Sequence, residues 1–253
     1  MDKDVRKIIF TKDKGFVFLG FVGSRGGSMH LLDKKAGFAG SSAIVGGIIP
    51  IATGSALAAQ FKHSDCITGV YFGDGGTEEG ALWESLNFAA LKNLPIIYFC
   101  ENNFYSVCSP LENRQPQKIN IAQKATDFGV YAEQVDATNV IKVYEATFRA
   151  ISRIRAGDGP SFLECIAYRW RGHGGAGDDS HTGYRDPQEV QQWEAFCPIT
   201  RFYDTLTSQK LLQETEAKRM GEQIETEIKE AFDHAINSPN PVYEDLYKFA
   251  YSD

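Results

Sequence analysis

The sequence predicts an α/β protein, a mostly parallel sheet flanked by helices on both faces. Three observations carry this reading. Short apolar runs at 67–72, 96–100, 131–135 and 162–168 are bounded by Gly, Pro, Asn or Asp, as buried strands are. Longer segments with apolar residues at helical spacing lie between them. The two patterns alternate along the chain, with no internal repeat and no low-complexity tract, and such alternation builds parallel strands covered on both sides.

The elements follow in order. Residues 46–61 read as a helix rich in small residues (Ala52, Gly54, Ser55, Ala56, Ala58, Ala59), with Pro50 near its first turn, where proline is tolerated. Residues 67–72 form a strand, 77–93 a helix and 96–100 a second strand. A short helix over 121–128 precedes a short strand over 131–135. Residues 139–156 form a helix ending at Gly157, which suits a left-handed cap. A strand over 162–168 leads into a Gly/Asp-rich loop at 171–182. Residues 211–237 form a charged amphipathic helix or helix pair. Phe16 to Val22 reads as an added hydrophobic strand. The organisation expected is a single domain over 1–253, with an atypical segment at 1–25 and a helical tail at 205–253.

Composition narrows the class. At 253 residues and 43% hydrophobic content, the chain can bury one large core. A formal net charge of −7 argues against nucleic acid and anionic membranes as partners. No apolar run approaches the length of a spanning helix, and no secretory signal or transit peptide is evident. The five cysteines (66, 100, 108, 165, 197) show no CxxC pair, so reduced thiols and a reducing compartment are expected, cytoplasmic or, in a eukaryote, the mitochondrial matrix.

The chemistry centres on Gly73-Asp74-Gly75, followed after residues 76–101 by Asn102-Asn103. Each motif sits where a predicted strand ends. Ligands bind in open α/β sheets outside the carboxyl ends of the strands. Asp74 offers a carboxylate and Asn103 an amide oxygen, both hard ligands of the kind Mg²⁺ takes together with phosphate oxygens. An Asp-Gly turn alone would be unremarkable, since glycine serves wherever a chain reverses. The pairing at this distance, on two flanking strands, is what raises it to a candidate site. Gly75 and Gly76 would let backbone N–H groups approach an anion.

The spacing resembles the thiamine diphosphate motif. Residues 73–80 (GDGGTEEG), 84–91 (ESLNFAAL), Leu94-Pro95 and Cys100-Glu101-Asn102-Asn103 resemble the alpha subunit of the first component of 2-oxo acid dehydrogenases, a group that includes the pyruvate, branched-chain and acetoin enzymes. Gly26-Gly27-Ser28-Met29-His30 and Ile44-Val45-Gly46 match upstream. Tyr168-Arg169, Gly172-His173, Asp178-Asp179-Ser180 and Tyr184-Arg185 match the family's active-site loop, and Ser238-Pro239 and residues 243–247 its tail. The resemblance runs from about residue 23 to the C-terminus, in order.

The resemblance implies a thiamine diphosphate-binding fold, thiamine diphosphate and Mg²⁺ as cofactors, and a chain that handles the diphosphate end. It implies Asp74, Asn103 and the Tyr105 carbonyl as metal ligands, and Val45, Gly75 and Gly76 against the cofactor. His173 is implied as the catalytic acid/base, and an imidazole titrates near working pH. His30 is a weaker candidate. Arg169, Arg171 and Arg185 could pair with Asp178, Asp179 or diphosphate. A beta subunit would supply the glutamate at the pyrimidine end, in an α2β2 heterotetramer, and a lipoyl domain would accept the acyl group. Where mitochondrial members carry a phosphorylated serine after the histidine, this chain has Gly174. Ser180 remains a second possible site. The family's longer N-terminal region, with a Tyr-Arg clamp on the diphosphate, has no counterpart in Met1 to Gly23. Two other readings stay open: the cofactor-binding half of a split transketolase-like or sugar-modifying thiamine enzyme, and a non-catalytic truncated paralogue that only assembles with a partner.

Overall fold

The computed structural model describes residues 29–246 apart from 34, 117, 119, 175, 176, 178 and 241. Phe16–Val22, Gly26, Gly27, Ser28, Gly175, Asp178 and Tyr247 therefore lie outside the described residues. The chain divides into two compact units, Ile44–Leu206 and Met1–Ala43 with Thr207–Asp253.

The first unit holds the sheet. In chain order it runs α1 (Ile48–Phe61), β1 (Thr68–Gly73), a 3-10 turn (Asp74–Glu78), α2 (Gly80–Lys92), β2 (Ile96–Asn102), the two-residue strands β3 (Tyr105–Ser106) and β4 (Ser109–Pro110), α3 (Leu111–Arg114), α4 (Ile121–Thr126), β5 (Tyr131–Asp136), α5 (Val140–Arg155), β6 (Ser161–Ile166), α6 (Pro187–Glu194) and α7 (Pro198–Ser208). The main sheet has the order β1-β2-β6-β5, and every pairing in it is parallel.

Strand alternation sends side chains to two cores. Val70, Phe72, Ile96, Tyr98, Cys100 and Phe162 pack on one side with Ile49, Ala56, Leu82, Leu86 and Ala125 of α1, α2 and α4. The intervening residues Ile97, Phe99, Leu163 and Cys165 are buried on the other side, where α5 lies against β2, β5 and β6 and buries Ala146, Ala150 and Ile151. The expected parallel sheet with helices on both faces is thus the architecture observed. Right-handed crossovers require this arrangement: β1–α2–β2 winds one way and β5–α5–β6 the other, so their helices fall on opposite faces. The winding reverses between β2 and β6, and the crevice at such a switch point is where open α/β sheets bind ligands.

The small residues of α1 let it approach the sheet closely. Thr53 Oγ1 donates to the Ile49 carbonyl at 3.0 Å and meets the Tyr98 hydroxyl at 2.8 Å, which lies 3.3 Å from the Ser85 carbonyl. One phenol so joins α1, α2 and β2 in an otherwise apolar layer. Helix ends follow their side chains: Asn120 and Asn139 cap α4 and α5, and Asp186 with Pro187 starts α6. Asn93 takes the left-handed conformation that closes α2 (φ +53°).

Several elements differ from expectation. The helix expected from residue 77 is split, because Glu79 is extended and separates the 3-10 turn from α2. The strand expected over 162–168 stops at Ile166. Helices α3, α6 and α7 and the β3–β4 hairpin were not anticipated. In the second unit, α8 (Glu214–Asn237) falls within the expected helical span and carries Met220, Ile224, Ile228, Phe232 and Ile236 exposed along its length. Among the described residues no helix is long and apolar enough to cross a membrane.

Burial pushes the Tyr98 phenol up to about 12, from an ordinary 10.0, against the hydrogen bond to Thr53, which pulls it down. The folded chain then keeps this proton where the unfolded chain releases it, so stability falls as pH rises from 10 to about 12. Tyr98→Phe should cost about 1 kcal/mol at neutral pH. It should also make that alkaline loss shallower, as read by urea unfolding at a series of pH values. An equally steep loss in the variant would show that another group causes it.

Candidate functional site

The site begins with strand register. Phe72 stands opposite Cys100 and Gly73 opposite Glu101, so the two strands deliver Asp74 and Asn102-Asn103 to the same edge of the sheet. Asp74 opens the 3-10 turn with only 1% of its surface exposed. Thr77 Oγ1 donates to the Asp74 carbonyl at 2.7 Å, and Trp83 Nε1 donates to the Thr77 carbonyl at 2.9 Å, which fixes the turn against α2. The buried carboxylate is not left alone. Arg114 donates to Asp74 Oδ2 through Nη2 and to Glu78 Oε1 through Nη1.

The turn glycines are needed by close approach. A Cβ on Gly75 would lie 2.5 Å from Ser106 Oγ, and one on Gly76 would lie 3.2 Å from the Phe72 ring. Gly75 therefore presses its backbone against β3, the strand that follows Asn103. Gly46 has φ +75°, and a Cβ there would lie 2.8 Å from Glu79 Cγ. That contact brings the Val45 segment to the head of α2. Val45 itself is exposed.

The two asparagines have different duties. Asn102 is buried, donates through Nδ2 to Glu164 Oε1 at 2.8 Å and accepts from the Phe104 N–H at 3.1 Å. Asn103 is half-buried and accepts from the Tyr105 N–H at 3.1 Å, which leaves its amide oxygen a second lone pair. Past them the chain turns sharply, with Phe104 at φ +67° and Val107 at φ +55°. Left-handed non-glycine residues cost about 1–3 kcal/mol each and persist where the surroundings over-determine them. Here the Phe104 carbonyl accepts from the Leu111 N–H at 2.7 Å, and Tyr105-Ser106 pairs with Ser109-Pro110.

Tyr105 lies in an aromatic group at the switch point. Its ring meets Tyr168 at 6.0 Å and Tyr184 at 5.7 Å, both edge-on, and Tyr168 stacks on Trp193 at 5.3 Å. Glu189 of α6 accepts from the Tyr105 hydroxyl at 2.6 Å and from Tyr168 at 3.2 Å. Burial, then the Glu189 carboxylate, pushes the Tyr168 phenol up to about 12 and Tyr105 well above its ordinary range. Phe104, Tyr105, Leu111, Tyr184, Asp186 and Glu189 line a cleft of about 560 Å³ here.

The loop after β6 is tied to the same edge. Arg185, 3% exposed, donates to Asp179 Oδ1 and to the Arg169 carbonyl. Tyr184 donates to Asp179 Oδ2 at 2.6 Å, and Arg169 donates to the Val107 carbonyl at 2.8 Å. Of the arginines read from the sequence, Arg185 and Arg169 thus engage Asp179, while Arg171 is exposed. His173 is exposed on this loop, and among the described residues no hydrogen bond or ion pair joins it to Asp74, Asn103 or Tyr105. His30 is exposed and belongs to the other compact unit.

The structure therefore gathers Asp74, Gly75, Gly76, Asn103 and Tyr105 at one edge, sets Val45 beside the head of α2 and leaves His173 on the loop nearby in sequence to Arg169. Among the described residues no three His, Cys, Asp or Glu side chains cluster as a metal site. The donors present are one carboxylate, an amide oxygen and backbone carbonyls. An all-oxygen set with few protein ligands fits Mg²⁺ held partly by phosphate. Sequence reasoning missed Arg114, Glu164 and Glu189. Only Glu189 was announced locally, by the Asp186-Pro187 helix start.

Two outcomes follow from this geometry. Gly75→Ala should destabilise the chain by about 1–3 kcal/mol in urea unfolding, with much of the loss recovered when Ser106→Gly is added. Wild-type stability in the single variant would refute the close approach. The Tyr184 hydroxyl, then the Arg185 guanidinium, hold the Asp179 carboxyl below its usual range. That lock is present above the ordinary carboxylate pKa of about 3.9 and is lost as pH falls beneath it. Pepsin cleavage between residues 171 and 185 should accelerate below that point, and Asp179→Asn should be cleaved fast, even at the upper end of the usable range.

Comparison with known proteins adds the following. The family described as "Dehydrogenase E1 component" matches residues 6–244, starting upstream of residue 23, where the motif resemblance begins. The alpha-3 subunit of the chloroplastic pyruvate dehydrogenase E1 component from Arabidopsis thaliana is 35% identical over 90% of this chain and 54% of its own length. The alpha subunit of the pyruvate dehydrogenase E1 component from Rhizobium meliloti is 34% identical over 88% of this chain and 63% of its own. The alpha subunit of acetoin:2,6-dichlorophenolindophenol oxidoreductase from Bacillus subtilis is 34% identical over 92% of this chain and 68% of its own. The chain spans about half to two thirds of these relatives.

Proposed function

The chain belongs to the dehydrogenase E1 component family, and from that premise we propose that it is the alpha subunit of a thiamine diphosphate-dependent dehydrogenase that decarboxylates a 2-oxo acid or cleaves acetoin and passes the acyl group to a lipoyl domain. The observation that carries the proposal is the parallel register that ends β1 and β2 at Asp74 and Asn102-Asn103.

The proposed roles are as follows. Asp74, Asn103 and the Tyr105 carbonyl would hold Mg²⁺, and the Gly75 and Gly76 amides would meet the diphosphate. Val45 covers the cofactor from the loop before α1. Bound thiamine diphosphate supplies the carbanion chemistry, and the protein positions it and sets its electrostatics. His173 moves protons at the substrate oxygen and steers the acyl group toward the lipoyl acceptor. Its exposed loop suits a residue that must meet a second protein. The Arg185–Asp179–Tyr184 lock supports that loop from beneath.

A beta subunit completes the site with the glutamate that protonates the pyrimidine, in an α2β2 assembly. The exposed apolar residues Ile44 and Val45 at this edge are consistent with such a cover. The setting proposed is the cytoplasm or, in a eukaryote, the mitochondrial matrix.

The test is calorimetric titration of thiamine diphosphate with and without Mg²⁺. Binding that requires Mg²⁺ and is lost in Asp74→Ala is expected. With a beta subunit, 2-oxo acid or acetoin and a lipoyl domain added, acylation of the lipoyl group is expected, and His173→Ala should reduce it by at least about a hundredfold. Cofactor binding without lipoyl acylation by any of these substrates would sink the dehydrogenase assignment and favour another split thiamine enzyme.

A further inference from the structure

Arg114 is the cationic group at the candidate site that the sequence did not announce. Its guanidinium is held at three points: Nε donates to the Ser109 carbonyl at 3.1 Å, Nη1 to Glu78 and Nη2 to Asp74. It is only 10% exposed, and its carboxylate partner Asp74 1%. The neighbouring Gln115 donates to Thr77 Oγ1 at 2.7 Å and to Glu78 Oε1 at 3.3 Å. The end of α3 is thereby strapped across the 3-10 turn, over the residues that would meet a metal ion and a diphosphate.

We propose that Arg114 is a diphosphate-binding residue that also covers Asp74 until the cofactor arrives. The inference rests on the function proposed above. A guanidinium fork matches the spacing of phosphate oxygens as well as that of carboxylates. In the empty site it satisfies a buried carboxylate that would be costly to leave unpaired. A dication that takes Asp74 Oδ2 displaces the Arg114 Nη2 hydrogen bond. Asp74 and Glu78 together outweigh Arg114 in charge, and a dication reverses the sign. The freed guanidinium then has an anion to meet only if the diphosphate is present. Cation and diphosphate therefore load together, and each binds poorly alone. Arg114 also supplies, from the end of α3, a positive charge beside the turn that would meet the diphosphate.

The experiment uses the full chain and the variants Arg114→Gln, Arg114→Lys and Asp74→Asn, each checked for folding by circular dichroism and thermal melting. Mn²⁺ is titrated alone and followed by the signal of the free ion. Thiamine diphosphate is titrated separately in saturating Mg²⁺. Removing the fork should tighten Mn²⁺ binding and weaken thiamine diphosphate binding, each by about tenfold or more. Arg114→Lys, which keeps the charge without the fork, should fall between. These shifts have opposite signs, whereas a merely structural role would weaken both. If Asp74→Asn loses both ligands while Arg114→Gln leaves both unchanged, or weakens both, this inference is overturned and the proposed function stands. If the wild-type chain binds neither ligand, both fall.

Discussion

The Glu164 carboxylate organises much of what surrounds it. It lies at the centre of the sheet, 2% exposed, and accepts from Asn102 Nδ2, the Ala122 N–H and Gln134 Nε2 at 2.8, 3.0 and 3.3 Å. An acid buried there is tolerable only because these donors replace its water. The three donors come from the end of β2, the first turn of α4 and β5. One group so fixes the exit of β2, the start of a helix and the edge strand together. The Asn102 amide is held in place, and the turn that carries Asn103 and Tyr105 departs from a fixed point.

How far this was legible depends on the range of the signal. The strands announced themselves because each is an apolar run closed by a turn residue, and the sheet follows from their alternation with helices. Asp74 and Asn103 were legible because their separation reflects one complete βαβ unit. The β3–β4 hairpin was not, since two-residue strands have no period to detect. Arg114 was invisible for a different reason. Nothing local marks it, and its importance comes from a fold-back that places α3 over residues forty positions earlier. Glu164 reads in sequence as a polar interruption of the apolar stretch Phe162–Ile166, and its partners lie 62, 42 and 30 residues away. Helix α6 is the instructive case, because Asp186-Pro187 is a strong start signal whose following turns carry little apolar periodicity.

The electrostatics of the edge divide by element. Around the turn after β1, Asp74 and Glu78 face a single guanidinium, and hydrogen bonding there is strong and charge-assisted. At the switch point, Glu189 takes two phenols instead, and burial, then the carboxylate itself, raises their pKa values. In the inference drawn above, the first environment exchanges its partner for a metal ion. The phenols of the second stay protonated through the neutral range.

Most of the candidate ligand cradle belongs to a single crossover. Asp74, Gly75, Asn103 and Tyr105 all lie in β1–α2–β2 and the turn after it, while Glu164, His173 and Arg185 arrive with β6 and its following loop. Parallel strands joined by one helix make the nearest pairing available to such a sheet, and contacts close in sequence form first. During synthesis from the N-terminus the residues of the rough cradle are thus all made before the residue that clamps Asn102. The order of translation separates the shaping of the pocket from its tightening, and a ligand at hand would meet the first well before the second.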